Sequence, residues 1–308
     1  MENQTTDTIL MIEPVAFGYN AETAVNNYFQ QKDSVSPTEI QAKALAEFNG
    51  MVSLLRKNGI RVITLKDTYE PHTPDSVFPN NWISFHAGGR IALYPMFAEN
   101  RRFERRKDIL ETVMGTDYSK IRLTDFTVFE NNNRFLEGTG SMILDRKYKI
   151  AYAALSRRTD KELLERFCSE FDYRPVSFHA NQTVDEQRLP IYHTNVMLCV
   201  ADGYVVVCAE SIDDEAEKKE VFDAFEESGK KVVEISAAQM HAFAGNMLQV
   251  QNAEGTKFLV MSETALNSLD QGQVKTLTAF NRIIAPSVTT IEKYGGGSVR
   301  CMMAEVFK

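Results

Sequence analysis

Along most of the chain the hydrophobic positions switch between two periods. "SVSPTEIQAKALAEFNGMVSLLRKNG" (34–59) keeps the 3.6-residue spacing of a helix, opens on Ser and Pro, and stops at Asn-Gly. "IRVITL" (60–65) then predicts a strand. "TDKELLERFCSEF" (159–171) and "EAEKKEVFDAFEESGK" (215–230) are further helices, each followed by a strand-like run, "YRPVSF" (173–178) and "KVVEIS" (231–236). "SETALNSLDQGQVKTLTAFN" (262–281) reads as a helical region leading into "RIIAPS" (282–287).

Between these helices lie four apolar hairpins of one design. They are "PNNWISFHAGGRIALYP" (79–95), "LEGTGSMILDRKYKIAYAA" (136–154), "YHTNVMLCVADGYVVVCAE" (192–210) and "FAGNMLQVQNAEGTKFLVMS" (243–262). Each has a small or polar start, an apolar strand, a short polar loop and a second apolar strand. "GGSVRCMMAEVF" (296–307) supplies one strand of a fifth, and "TILMIEPVAFG" (8–18) is its candidate partner from the other end. Asn81 and Asn195 lie 114 residues apart, and Asn195 and Asn246 lie 51 apart. A period of roughly 50–57 residues means one supersecondary unit repeated about five times. The expected fold class is α/β: a five-bladed, pseudo-fivefold symmetric propeller of ββαβ modules, one domain over residues 1–308.

In such an arrangement the hairpin starts converge. They carry Asp75, Asn80 and Asn81; Glu137; His193 and Asn195; Asn246; and Cys301. A thiol, an imidazole and a carboxylate from separate modules suit attack on an electrophilic carbon. Cys301 follows three glycines and Arg300, which predicts close backbone approach and a positive local potential favouring thiolate. Cys199 and Cys208 sit inside apolar strands and Cys168 on a helix, positions of structural packing. His72, His86, His179 and His241 compete with His193 for the acid/base role.

Composition narrows the class further. The formal net charge is −8 over 308 residues, which argues against a nucleic-acid binder. The densest basic run, "NRRFERRKD" (100–108), has the simple reading of a solvated helix face. Four irregularly spaced cysteines predict neither a disulfide framework nor a zinc site and fit a reducing, cytoplasmic setting. No stretch approaches the roughly 18 apolar residues of a membrane span, and the first residues lack a signal-peptide pattern.

From "PDSVFPNNW" (74–82) to "GGGSVRCM" (295–302) these motifs, in this order, resemble the guanidine-modifying or pentein superfamily. The resemblance is strongest to its amidinotransferase-like branch, which includes a citrulline-utilisation hydrolase. It implies that Cys301 is the nucleophile, His193 the acid/base and Glu137 the carboxylate partner. Asp75, Phe78 and Asn80–Asn81 fall in the substrate-contact segment, with Asn81 replacing an aspartate that grips a guanidinium. Arg101 of "NRRFE" and Arg158 of "SRRT" match arginines that hold the substrate α-carboxylate. The resemblance implies no metal and no organic cofactor. The partner is a small molecule (citrulline, arginine or a derivative), not nucleic acid or membrane, and a homodimer is left open.

The departures carry the substrate argument. Asn195 stands where arginine deiminases have an aspartate, Asn81 replaces the gripping aspartate, and Gly296 replaces an arginine. A guanidinium taken out of water without counter-charges costs several kcal/mol. A neutral ureido group matches amides instead. The expectation is citrulline cleaved to ornithine, ammonia and carbon dioxide. Arginine deimination, arginine dihydrolysis or amidino transfer in the same site are the alternatives, and a non-catalytic binding protein of the same fold is more distant. No papain-like segment is present.

Overall fold

Ser36 caps the long helix Pro37–Lys57, its hydroxyl accepting from the Glu39 amide at 3.3 Å, while Pro37 occupies a first-turn position where its missing N–H is harmless. One face, including Ile40, Phe48, Met51 and Leu55, is buried against a sheet. This is a computed structural model, and it describes residues 2–114 and 121–307. The same logic recurs at Lys161–Phe171 and Glu215–Glu227, whose Asp160 and Asp214 side chains cap the first turn. The region 262–281 divides into Glu263–Ser268 and Gln271–Thr278, because Asp270 starts a new helix with a capping box to Gln273.

Among the described residues, five three-stranded sheets share one pattern, an antiparallel pair whose second strand is followed by a helical crossover to a third strand parallel to it. Ile83–His86 and Arg90–Leu93 pair antiparallel with Ile83 opposite Leu93, and Arg122–Asp125 joins parallel to the latter after the helix Lys107–Met114. Ile143–Asp145, Ile150–Ala154 and Arg174–Phe178 repeat this, as do Leu198–Val200, Tyr204–Val207 and Lys231–Glu234. Leu248–Gln251, Lys257–Val260 and Arg282–Ile284 form the fourth set. The fifth unites the chain ends: Thr8–Glu13 pairs antiparallel with Ala304–Glu305 and parallel with Arg61–Lys66. The hairpin strands are nearly continuous apolar runs because helices cover one face and neighbouring sheets the other. Leu198–Val200 touches both Ile143–Asp145 and Leu248–Gln251, and Ala304–Glu305 touches Ile83–His86. The first strands of successive modules therefore face one another, which brings the residues just ahead of them together.

Two features depart from the expectations above. A polar hairpin, Asn181–Val184 with Gln187–Pro190, is inserted before His193; with no apolar face of its own it left no strand signal. The basic run is not a solvated helix face. Residues Asn100–Glu104 form a 3-10 turn in which Arg101 and Glu104 are buried, and Arg105 pairs with Glu130. No helix among the described residues is long and apolar enough to cross a membrane.

Candidate active site

Each hairpin start is a tight turn ahead of its strand. His193, in extended backbone, precedes the 3-10 turn Thr194–Val196; Glu137 precedes the short helix Gly138–Ser141; Asn81 ends the turn Pro79–Asn81. Cys301 likewise sits in a turn three residues before its strand rather than on it. These turns free the side chains from the sheet's alternation and aim them toward one another. They pack closely because Gly140 has no side chain: a Cβ there would lie 2.4 Å from Asn81 Nδ2 and 2.8 Å from His193 Nδ1.

A small cavity is lined by Cys301, His193, Asp75, Phe78, Asn81, Arg101 and Arg158, seven of the ten residues expected from the sequence. Glu137 stands behind His193 and is itself fully buried. Asn195 lies against the sulfur, its Nδ2 donating to Cys301 Sγ at 3.2 Å. Asn80 does not reach the cavity; its amide nitrogen turns to Thr139 Oγ1 at 3.3 Å. The other four histidines take structural partners, such as Ser84 for His86 and Glu217 for His179.

Glu137 and His193 form a buried pair, Oε2 to Nε2 at 2.7 Å. Burial works against the Glu137 anion, but Arg158, His193 and Arg101 outweigh it and hold the carboxyl at about 2. An ionised carboxylate only accepts, so the hydrogen on this bond belongs to Nε2 and the neutral ring keeps its lone pair on Nδ1. Burial lowers His193 to about 4, more than Glu137 raises it. The imidazole is thus neutral at pH 7 and available as a base.

Cys301 and His193, the expected nucleophile and acid/base, are not hydrogen-bonded to each other, although both line the cavity. Arg300 does not face the sulfur either. Its guanidinium pairs with Glu305 at 2.9 Å and with the Met303 carbonyl, because the peptide turns at this point. The sulfur's partners are the Nδ2 groups of Asn195 and Asn246, at 3.2 and 3.3 Å. Cys168 and Cys199 are inert by contrast, with thiols pushed up to about 12 by burial.

Both arginines line the cavity with most of their donors already engaged. Arg101 grips Glu104 through Nε (2.8 Å) and Nη2 (3.0 Å) and donates from Nη1 to Asn81 Oδ1 at 2.9 Å. Arg158 donates to the Thr23 carbonyl and to Asn26 Oδ1, packs over the Tyr192 ring, and keeps Nη1 with one long contact, 3.5 Å, to Glu137. Asp75 Oδ2 accepts from Asn20 and Thr23, while its Oδ1 is buried without a partner, as are Asn81 Nδ2 and Asn195 Oδ1. Burial raises the Asp75 carboxyl despite Arg101.

Thr23, Asn27 and Tyr192 also line the cavity and were not expected. Tyr192 OH donates to the Gly296 carbonyl at 2.6 Å, and its place beside His193 was the available signal. Thr23 and Asn27 belong to a segment without apolar periodicity, so nothing local marked them.

The fold and this constellation define a guanidine-modifying enzyme of the pentein superfamily, acting on C–N bonds. More narrowly, the chain belongs to the family described as N,N dimethylarginine dimethylhydrolase, eukaryotic, whose model matches residues 13–308. Among solved structures it is similar to the N-terminal domain of ArgZ bound to substrate, an arginine dihydrolase from the ornithine–ammonia cycle in cyanobacteria. That match has a TM-score of 0.72 and 16% identity over 98% of both chains. AgrE in complex with L-arginine matches with a TM-score of 0.73 and 18% identity, over 98% of this chain and 40% of that one. A dimethylarginine dimethylaminohydrolase adduct with 4-chloro-2-hydroxymethylpyridine matches with a TM-score of 0.65 and 15% identity over 98% and 99%. At these identities the likeness establishes the fold. No curated protein matches the chain in sequence.

Proposed function

We propose that the protein is a cysteine-dependent hydrolase converting citrulline to ornithine, ammonia and carbon dioxide. The five like modules, with their first strands in contact, support reading residues 1–308 as one five-bladed propeller around the site. The observation that carries the substrate choice is Asn81. Arg101 occupies its Oδ1, which leaves Nδ2, a buried donor without a partner, on the side of Gly140 and His193. A guanidinium has only donors and leaves that group unsatisfied; a ureido oxygen accepts from it. The partnerless oxygen of Asp75, which lines the cavity, suits a ureido N–H group.

In this reading Cys301 Sγ attacks the ureido carbon. Its proton passes to His193 Nδ1, while Glu137 stabilises the imidazolium through Nε2. His193 then protonates the ornithine nitrogen as the C–N bond breaks, leaving an S-carbamoyl cysteine. Water deprotonated by His193 hydrolyses the thioester-like bond, and the released carbamate decays to ammonia and carbon dioxide. Arg158, with donors left on Nη1, takes the α-carboxylate; Arg101 fixes Asn81 and Glu104.

Arginine dihydrolysis is the second reading. The free Asp75 oxygen and the Glu137 carboxylate favour a cation, and the structurally similar ArgZ is an arginine dihydrolase. Incubation with citrulline and arginine separately, quantifying ornithine, citrulline and ammonia, decides between them. Ornithine from citrulline at a kcat/KM above that from arginine supports the proposal; release of ornithine or citrulline from arginine alone overturns it.

A further inference from the structure

Asn246 takes no part in the scheme above, yet it touches the attacking atom. It is fully buried at the start of the fourth hairpin. Its orientation is fixed on both sides: Oδ1 accepts from the Arg300 amide at 3.0 Å, so Nδ2 must face the Asn195 carbonyl (2.9 Å) and Cys301 Sγ (3.3 Å). Asn195 Nδ2 approaches the same sulfur at 3.2 Å. Two neutral donors from two different modules thus converge on one thiol, while neither His193 nor Arg300 is hydrogen-bonded to it.

We propose that Asn246 is a further catalytic residue, forming with Asn195 a two-amide cradle that stabilises the Cys301 thiolate as it forms. The proposal rests on Cys301 being the nucleophile. Hydrogen bonds to an anion are stronger than those to a neutral group, so both amides favour S⁻ over S–H. No bond is made or broken at either asparagine; the thiol proton still leaves to His193. The charged or titratable groups that face the sulfur across the cavity are Asp75, Arg101, Arg158, Tyr192 and His193. None of them donates to it, which leaves the amides as its direct support.

The test is the rate at which iodoacetamide alkylates Cys301 as a function of pH. It is read by peptide mass spectrometry on wild type, Asn246→Asp and Asn195→Asp, with Cys168 and Cys199 as unreactive controls. Asn246→Asp keeps the size and the acceptor for Arg300 but sets a carboxylate, which cannot donate, against the sulfur. Alkylation at pH 7 should fall about tenfold or more and recover at high pH; the melting temperature should fall as well, because the new carboxylate also faces the Asn195 carbonyl. A folded variant that alkylates at the wild-type rate overturns the proposal. So does one slowed equally at every pH, which signals a distorted site. If Asn246→Asp fails to fold, Asn195→Asp reads the same cradle from its other side. Loss of the nucleophile reading is distinguishable, because it appears as full turnover in Cys301→Ala whatever the alkylation rates.

Discussion

In the proposed reading Asn81 discriminates between substrates, because its two ends have opposite hydrogen-bonding character and Arg101 holds the oxygen, leaving the amide nitrogen free. Asn81→Asp replaces the free donor with an acceptor and adds negative charge beside a buried guanidinium. The expected outcome is a shift of the arginine-to-citrulline kcat/KM ratio toward arginine by about tenfold or more, since one charge-assisted hydrogen bond is worth 1.5–3 kcal/mol. An unchanged ratio in steady-state assays contradicts the role given to this amide. At His193, burial lowers the ring to about 4. The base must be neutral, so kcat/KM should hold as pH falls through 6.5 and decline only near pH 4, and an acid limb at the ordinary histidine value argues against that environment.

At the scale of single elements, the turn before Cys301 leaves no room for a side chain at Gly296. Gly296 has φ +61°, closing the helix Thr289–Gly295 in the left-handed conformation, and a Cβ there would lie 2.6 Å from Asn27 Nδ2 and 2.7 Å from Gln30 Cγ. Gly296→Ala should cost about 1–3 kcal/mol through strain and overpacking, measured by chemical denaturation, and should raise KM because the displaced segment includes cavity-lining Asn27. The helices with Ser or Asp caps and the four apolar hairpins were legible because caps and alternating apolar runs are local signals. The convergence of Glu137, His193 and Cys301 on one region was legible through the repeat. The orientation of Arg300 was not, since its pairing with Glu305 depends on how the peptide turns in three dimensions. Nor was the sulfur's reliance on Asn246, because the contact that orients that amide, the Arg300 N–H, lies 54 residues away. The buried Arg101–Glu104 pair escaped for a similar reason: a dense basic run looks solvated until the rest of the fold covers it.

For the molecule as a whole, the buried His193–Glu137 pair ties stability to pH. His193 in the folded state sits at about 4 against an ordinary 6.5, so as pH drops from 6.5 to 4 the unfolded chain takes up its proton first and stability falls. Glu137, held at about 2 against 4.5, contributes stability above pH 4.5 that is lost as pH drops toward 2. Glu104, pushed up to about 7 by burial, acts in the opposite sense, losing stability as pH rises toward 7. The His193 part is therefore read as a difference: His193→Gln should make the change in denaturation midpoint between pH 6.5 and 4 less unfavourable than in wild type, and a variant with the wild-type slope locates that loss elsewhere. The two chain ends meet in one sheet, Thr8–Glu13 against Ala304–Glu305, so the nucleophile's turn is braced by strands from opposite termini. In the proposed reading all of this serves one chemical event, attack by a single sulfur on a neutral ureido carbon. The direct measurement is to mix the protein with citrulline labelled at the ureido carbon, quench in acid within one turnover, and map the adduct by mass spectrometry. The account predicts a labelled carbamoyl group on Cys301 and none in Cys301→Ala. An unlabelled Cys301 during active turnover of citrulline, or an amidino adduct formed only from arginine, contradicts it.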